Sequence, residues 1–173
     1  MGEICKRRKD FEALATRLQS TRRCMTVAMR RGHICEPIAG KACADKCENK
    51  INLYPCGVVV NFWSPWIAAS PDRKVYNTER RPPFGLLEIK CPMVQNITEI
   101  SWLKKNDDGE YQLKRNHNYY YQVITQMAVT GLRWCDFYVW WETGDYLETI
   151  YFDEDIWQQT KNKADNFYFT YFI

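Results

Sequence analysis

Two neighbouring stretches decide how this chain is read: Ala68-Ala69-Ser70-Pro71-Asp72, and Gly85-Leu86-Leu87-Glu88-Ile89-Lys90-Cys91-Pro92. The first is a short apolar strand running into a Ser-Pro-Asp turn, so its carboxylate is expected at a sheet edge or cleft. The second is an apolar run that carries two charges. On a strand, positions i and i+2 share a face, so Glu88 and Lys90 point one way and Leu87 and Ile89 the other. A Glu-x-Lys pair is ordinarily a wet surface pair, and an aspartate after Ser-Pro is ordinarily a turn residue. Here the flanking Leu86, Leu87, Ile89 and Pro92 predict a mostly buried strand, where charged groups are seldom left unpaired. If the two strands pair, Asp72 and Glu88 share an oxygen-rich site of the kind magnesium uses. Lys90 beside it would orient or deprotonate a water, or stabilise charge on a phosphate. This is the chemistry of phosphodiester hydrolysis.

Outward from this centre, the pattern predicts a helix over residues 10–30, with Phe11, Leu14 and Leu18 at helical spacing. A second helix is expected over 31–49, with Ile34, Ile38 and Ala42 as its apolar stripe. The chain turns β-rich from Ile51 to Val60. Pro71 to Lys74 reads as a turn, Val75-Tyr76 as the start of a return strand, and Arg80 to Pro83 as a loop. Residues 100–115 read as a hairpin around Asn106-Asp107-Asp108-Gly109. Asn118 is expected to cap a helix that ends at Gly131. Strands Trp134–Trp141 and Tyr146–Tyr151 flank the turn Thr143-Gly144-Asp145. A last helix starts at the cap Asp153 and ends in the aromatic stretch Phe167 to Phe172. This order predicts an α/β layer fold with a central mixed sheet flanked by helices.

With 173 residues, 46% of them apolar, one compact domain is expected. The formal charge of +3 is too small to identify a partner, and its distribution is more informative. Lys6, Arg7, Arg8, Lys9, Arg22, Arg23, Arg30 and Arg31 gather early, and Arg80 and Arg81 precede the Gly85–Lys90 run. Asp145, Glu148, Asp153, Glu154 and Asp155 gather late. The basic runs read either as solvated helix faces or as phosphate contacts. No apolar segment follows the basic start, and no run approaches the roughly 20 apolar residues of a membrane helix. An intracellular protein with reduced thiols is therefore expected from the eight cysteines. Cys43 and Cys47, with Cys56 nearby, lack CxxC spacing, and neither His33 nor His117 has a partner at metal-motif spacing. Free thiols are expected there rather than structural zinc.

Four segments in order resemble the YqaJ, or lambda-type, viral recombinase exonucleases of the PD-(D/E)XK superfamily. They are Arg31-Gly32-His33-Ile34-Cys35-Glu36-Pro37, Ala69-Ser70-Pro71-Asp72, Leu87-Glu88-Ile89-Lys90-Cys91-Pro92, and Tyr119-Tyr120-Tyr121-Gln122-Val123 through Gln126-Met127. With Trp134-Cys135-Asp136-Phe137 they span residues 31–142, the best-matching core of a single domain whose first 30 residues form a helical segment. The resemblance implies a restriction-endonuclease-like α/β fold and a DNA exonuclease dependent on Mg2+ or Mn2+, acting on duplex DNA with free ends. It implies that Asp72, Glu88 and the Ile89 carbonyl hold the metal, with Glu36 approaching from a helix. Lys90 corresponds to the catalytic lysine, Gln122 to a glutamine near the attacking water, Tyr119 to its partner one turn earlier, and Ser70 to a terminal-phosphate ligand. Arg80 and Arg81 are candidate DNA-backbone contacts.

The sequence departs from this family at two places. Arg73 stands where relatives usually have glycine, and is a candidate phosphate contact or a residue that narrows the cleft. The upstream arginine–serine segment that binds a 5′ phosphate is not recognisable before Arg31, which implies either a fragment or a shortened descendant, with Ser20, Arg22 or Arg23 as substitutes. Relatives form ring-like trimers, but no interface residue is identifiable here and the oligomeric state stays open. Two alternatives remain on sequence alone: an endonuclease of the same superfamily, and a non-catalytic DNA-binding module that keeps the fold.

Overall fold

A computed structural model describes residues 1–20 and 25–173. The expectations placed on Arg22, Arg23 and Cys24 lie outside the described residues. Three helices, α1 (Gly2–Lys6), α2 (Phe11–Gln19) and α3 (Val27–Lys46), precede the strands. A five-stranded mixed sheet then runs β1 (Ile51–Pro55), β4 (Arg73–Asn77), β5 (Phe84–Lys90), β8 (Trp134–Trp141), β9 (Gly144–Tyr151) in spatial order. Only β5 and β8 pair in parallel; the other neighbours are antiparallel. Two small hairpins, β2–β3 (Val59–Val60, Ala68–Ala69) and β6–β7 (Leu103–Lys105, Tyr111–Leu113), stand outside it. The crossover from β5 to β8 carries α4 (Asn118–Thr130), and α5 (Glu154–Phe167) closes the chain with a wider turn over Tyr168–Phe172. The expected α/β architecture with a helix-flanked mixed sheet is present.

Strand β5 is central and covered on both faces, and every residue from Gly85 to Ile89 is buried. Its register with β8 sorts the faces. Leu86, Glu88 and Lys90 pair with Cys135, Phe137 and Val139, and Leu87 and Ile89 pair with Asp136 and Tyr138. The first set joins the core under α4, with Val123, Ile124 and Met127. The second joins the core under α3, with Ala39 and Cys43. The period-2 alternation read from the sequence therefore puts Glu88 and Lys90 on the α4 face. Gly85 is required by close approach, since a Cβ there would lie 2.2 Å from the Trp134 ring.

Several expectations are corrected. The helix over 10–30 stops at Gln19, and Ser20 is extended. A new helix starts at Val27, where the Thr26 hydroxyl accepts a bond from the Met29 N–H at 3.2 Å. Helix α3 continues unbroken to Lys46, and its packing face is not the Ile34/Ile38 stripe. Ile34 is 64% and Ile38 53% exposed, while Cys35, Ala39, Gly40 and Cys43 are buried. Small residues win because the helix lies close to the sheet: a Cβ at Gly40 would already be 3.8 Å from Ile89. Arg73 and Lys74 begin β4 rather than a turn. The α4 cap is His117, whose Nδ1 accepts from the Tyr119 N–H at 3.2 Å, and Asn118 is the first helical residue. The remaining signals hold: Gly131 ends α4 at φ 73°, Asp153 caps α5 through the Ile156 N–H at 3.0 Å, and Gly109 turns the β6–β7 hairpin. The aromatic end packs back on α2, with Tyr171 stacked 5.1 Å from Phe11. No described helix is long and apolar enough to cross a membrane.

Candidate functional site

Glu88 anchors the site. Its side chain is almost wholly buried, at 1% exposure, yet both oxygens are held. Oε1 accepts from the Lys90 ammonium and from Gln122 Nε2 at 2.6 Å, and Oε2 accepts from Gln126 Nε2 at 2.7 Å. A buried carboxylate without such donors would cost several kcal/mol. Gln122 and Gln126 sit one turn apart on α4, at i and i+4, so one helix face reaches both oxygens. Gln126 Nε2 also lies 3.5 Å from the Ser70 carbonyl, which ties the segment before Asp72 to the same helix. The Gln126 Oε1 atom is buried without a partner among the described residues.

Asp72 stands between β3 and β4 and reaches the same strand from the side. Its Oδ2 accepts from the Ile89 N–H at 2.7 Å, and no hydrogen bond reaches Oδ1 among the described residues. Burial pushes the Asp72 carboxyl up to about 7, and the charges of Glu88 and Glu36 add to this. The Ile89 N–H and Lys90 oppose the shift without cancelling it. Lys90 lies with its ammonium 4.6 Å from the centre of the Tyr119 ring. Burial pulls its ammonium down, but Glu88 and Asp72 more than compensate, so its net direction is up and it stays charged.

Glu36 approaches on α3, as its position in the sequence implies, but its partner is Arg73. The Arg73 Nη1 donates to Glu36 Oε1 at 2.5 Å and to the Asp72 carbonyl at 2.5 Å. Three carboxylates thus face two cations. No group of three His, Cys, Asp or Glu side chains among the described residues is drawn together as a metal cage. What converges instead is the pair Asp72 and Glu88, next to the Ile89 backbone. Two carboxylates with hard oxygens fit Mg2+ or Mn2+, which need few protein ligands and keep waters for the rest. The raised Asp72 and the open Oδ1 mark a place where negative charge is undercompensated and a cation would be welcome.

Ser70 is exposed beside this pair. Arg80, expected at the DNA, is turned into the protein. It donates to Asp136 at 2.8 Å, lies 3.3 Å from Thr149 Oγ1 and stacks on Trp134 at 4.3 Å. Asp136 is 1% exposed and on the α3 face, while Arg80 is 30% exposed, so a half-buried guanidinium covers a buried acid behind the sheet. Arg81 is exposed, and its Nη1 donates to the Thr78 and Arg80 carbonyls at 2.8 Å. Cys43 is buried on α3 with its thiol pushed well above the ordinary range by burial and by the charges of Cys47 and Asp136. A cavity of about 500 Å3 beside Arg115, Glu148 and Asp153 shares no lining residue with the Asp72–Glu88 centre. The chemistry, rather than the size of a hollow, locates the site.

The candidate positions Asp72, Glu88, Lys90, Gln122 and Tyr119 lie together in the fold. Gln126 joins them with no role implied for it in the sequence; its one signal there is its position one helical turn beyond Gln122.

A family model described as the YqaJ-like viral recombinase domain matches residues 4–133. No curated protein sequence matches the chain significantly. Among solved structures, an alkaline exonuclease (LHK-Exo) from Laribacter hongkongensis is similar in fold, with a TM-score of 0.70 and 24% identity over 96% of this chain and 82% of that one. LHK-Exo in complex with dAMP is similar at a TM-score of 0.72 and 25% identity, over the same shares of the two chains.

Proposed function

The chain belongs to the YqaJ-like viral recombinase domain family, and from that premise we propose that it is a divalent-metal-dependent DNA exonuclease acting at duplex ends. The observation that carries this is the convergence of Asp72, Glu88 and Lys90 on one edge of a central strand, with Glu88 buried and held by three donors. Asp72, Glu88 and the Ile89 carbonyl would hold Mg2+ or Mn2+. Such an ion, when bound, polarises a phosphate and lowers the pKa of a bound water.

The chain's own residues do the rest. Gln122 and Gln126 fix both oxygens of Glu88, so the carboxylate does not reorient when charge develops nearby. Lys90 is held in its charged form between Glu88 and the Tyr119 ring, which suits it to stabilise negative charge on the phosphate rather than to accept a proton in the resting site. Gln126 Oε1, unpartnered among the described residues, would accept from an ordered water. Exposed Ser70 would receive a terminal phosphate, and Arg81 would contact the DNA backbone, while Arg80 serves the fold. The dAMP bound by LHK-Exo is consistent with a mononucleotide product.

The test uses end-labelled linear duplex and closed circular duplex, each with Mg2+ and with chelator. Mg2+-dependent release of label from the linear DNA, with the circle left intact, is the expected result. Conversion of closed circles would make the protein an endonuclease of the same superfamily. No cleavage of either would leave a binding module.

A further inference from the structure

Among the described residues, Arg73 is the cation at this centre that the proposed chemistry does not use. Its guanidinium is pinned at both ends of one short reach: Nη1 to Glu36 Oε1 at 2.5 Å, and the same nitrogen to the Asp72 carbonyl at 2.5 Å. The two side chains are only 24% and 26% exposed, so the pair is partly desolvated and the contact is stronger than a surface ion pair. A guanidinium keeps its charge at any working pH. It therefore acts as a permanent positive charge beside Asp72, on the carboxylate from α3 that would otherwise be the third oxygen donor of the centre. This matches the absence of a three-carboxylate cage among the described residues.

We propose that Arg73 is a resident counter-ion that withholds Glu36 from ligation, so that the centre takes one divalent cation, held by Asp72 and Glu88. The inference rests on the nuclease assignment of this same pair. With Arg73 present, one net negative charge remains among Glu36, Asp72, Glu88, Arg73 and Lys90. Without it two remain, and Glu36 is free to turn toward Asp72. The change in charge and donor number favours either a second cation or a tighter first one.

The experiment counts Mn2+ bound per chain, by isothermal titration and by the electron paramagnetic resonance of free Mn2+. It compares the wild type with Arg73→Ala, Arg73→Lys, and Arg73→Ala combined with Glu36→Gln. The wild type is expected to bind one Mn2+. Arg73→Ala is expected to bind two, or one on the order of tenfold more tightly. The double variant is expected to return to the wild-type value, and Arg73→Lys to stay near it. Melting in chelator checks that each variant folds; if Arg73→Ala does not, Arg73→Gln takes its place in both variants. Equal stoichiometry and affinity in wild type and Arg73→Ala would overturn the role of Arg73 and leave the nuclease assignment intact. A gain that persists with Glu36→Gln would overturn it too. Absence of Mn2+ binding in every protein would remove the nuclease assignment together with this inference.

Discussion

Replacing Asp72 by asparagine should stabilise the metal-free protein while abolishing cleavage. The folded-state carboxyl is pushed up to about 7, against roughly 3.9 in an unfolded chain. Between those values the folded chain keeps a proton that the unfolded chain has released. Folding stability is therefore unpenalised below about pH 4, falls as pH rises, and carries the full cost above about pH 7. That interval corresponds to at most about 4 kcal/mol. Coupling to Glu88 and partial access to water reduce it to about 1–2 kcal/mol. An asparagine keeps an oxygen for the Ile89 N–H and removes the charge that Glu88 opposes. For a domain of this size, each kcal/mol moves the Tm by about 2–4 °C. Circular dichroism melts in chelator at pH 8 should show Asp72→Asn melting roughly 3–6 °C above the wild type, with the gap shrinking toward pH 5. Millimolar Mg2+ should raise the wild type and leave the variant unmoved, because only a cation-binding fold gains by mass action. A lower Tm for the variant at pH 8 in chelator, or an equal gap at both pH values, would refute the assignment of Asp72 as an undercompensated charge.

Other substitutions separate the parts of the site. Gln126→Leu leaves Glu88 Oε2 without its donor inside the core and should cost about 1–3 kcal/mol in urea unfolding. Lys90→Met should lower the single-turnover cleavage rate by roughly 100-fold or more, since the charge beside the phosphate is lost. Arg80→Ala should cost about 1–3 kcal/mol of stability by leaving the buried Asp136 with only the Thr149 hydroxyl as donor, as read from a shifted denaturation midpoint. Arg81→Ala should leave that midpoint in place and reduce the salt dependence of DNA binding by about one phosphate contact.

The parts of this fold that the sequence makes legible are those set by local periodicity and turn chemistry. Trp134–Trp141 is bounded by Gly131 and by Thr143-Gly144, so its ends were readable. Glu88 and Lys90 fell on one face because a strand has a period of two, whatever packs above it. Features that depend on how elements approach one another were not readable. The stripe Ile34, Ile38 is apolar and helical in period, but the helix meets the sheet through Cys35, Ala39, Gly40 and Cys43, and residue size rather than hydrophobicity chose the face. Arg80 sits in an exposed-looking basic loop, and only the sheet register shows Asp136 waiting behind it. The Glu36–Arg73 pair joins positions 37 residues apart and exists because α3, packed over the sheet, brings Glu36 within reach of the first residue of β4. A sequence identifies the two charges but not that they meet.

The most direct test of the centre is Mg2+-dependent nucleotide release from an end-labelled linear duplex by the wild type and by Glu88→Gln, both checked for cooperative melting. The wild type should release labelled nucleotides in Mg2+ and none in chelator, and folded Glu88→Gln should release none in either. Full release by a folded Glu88→Gln, or release by the wild type that persists in chelator, would contradict cleavage at the Asp72–Glu88–Lys90 centre.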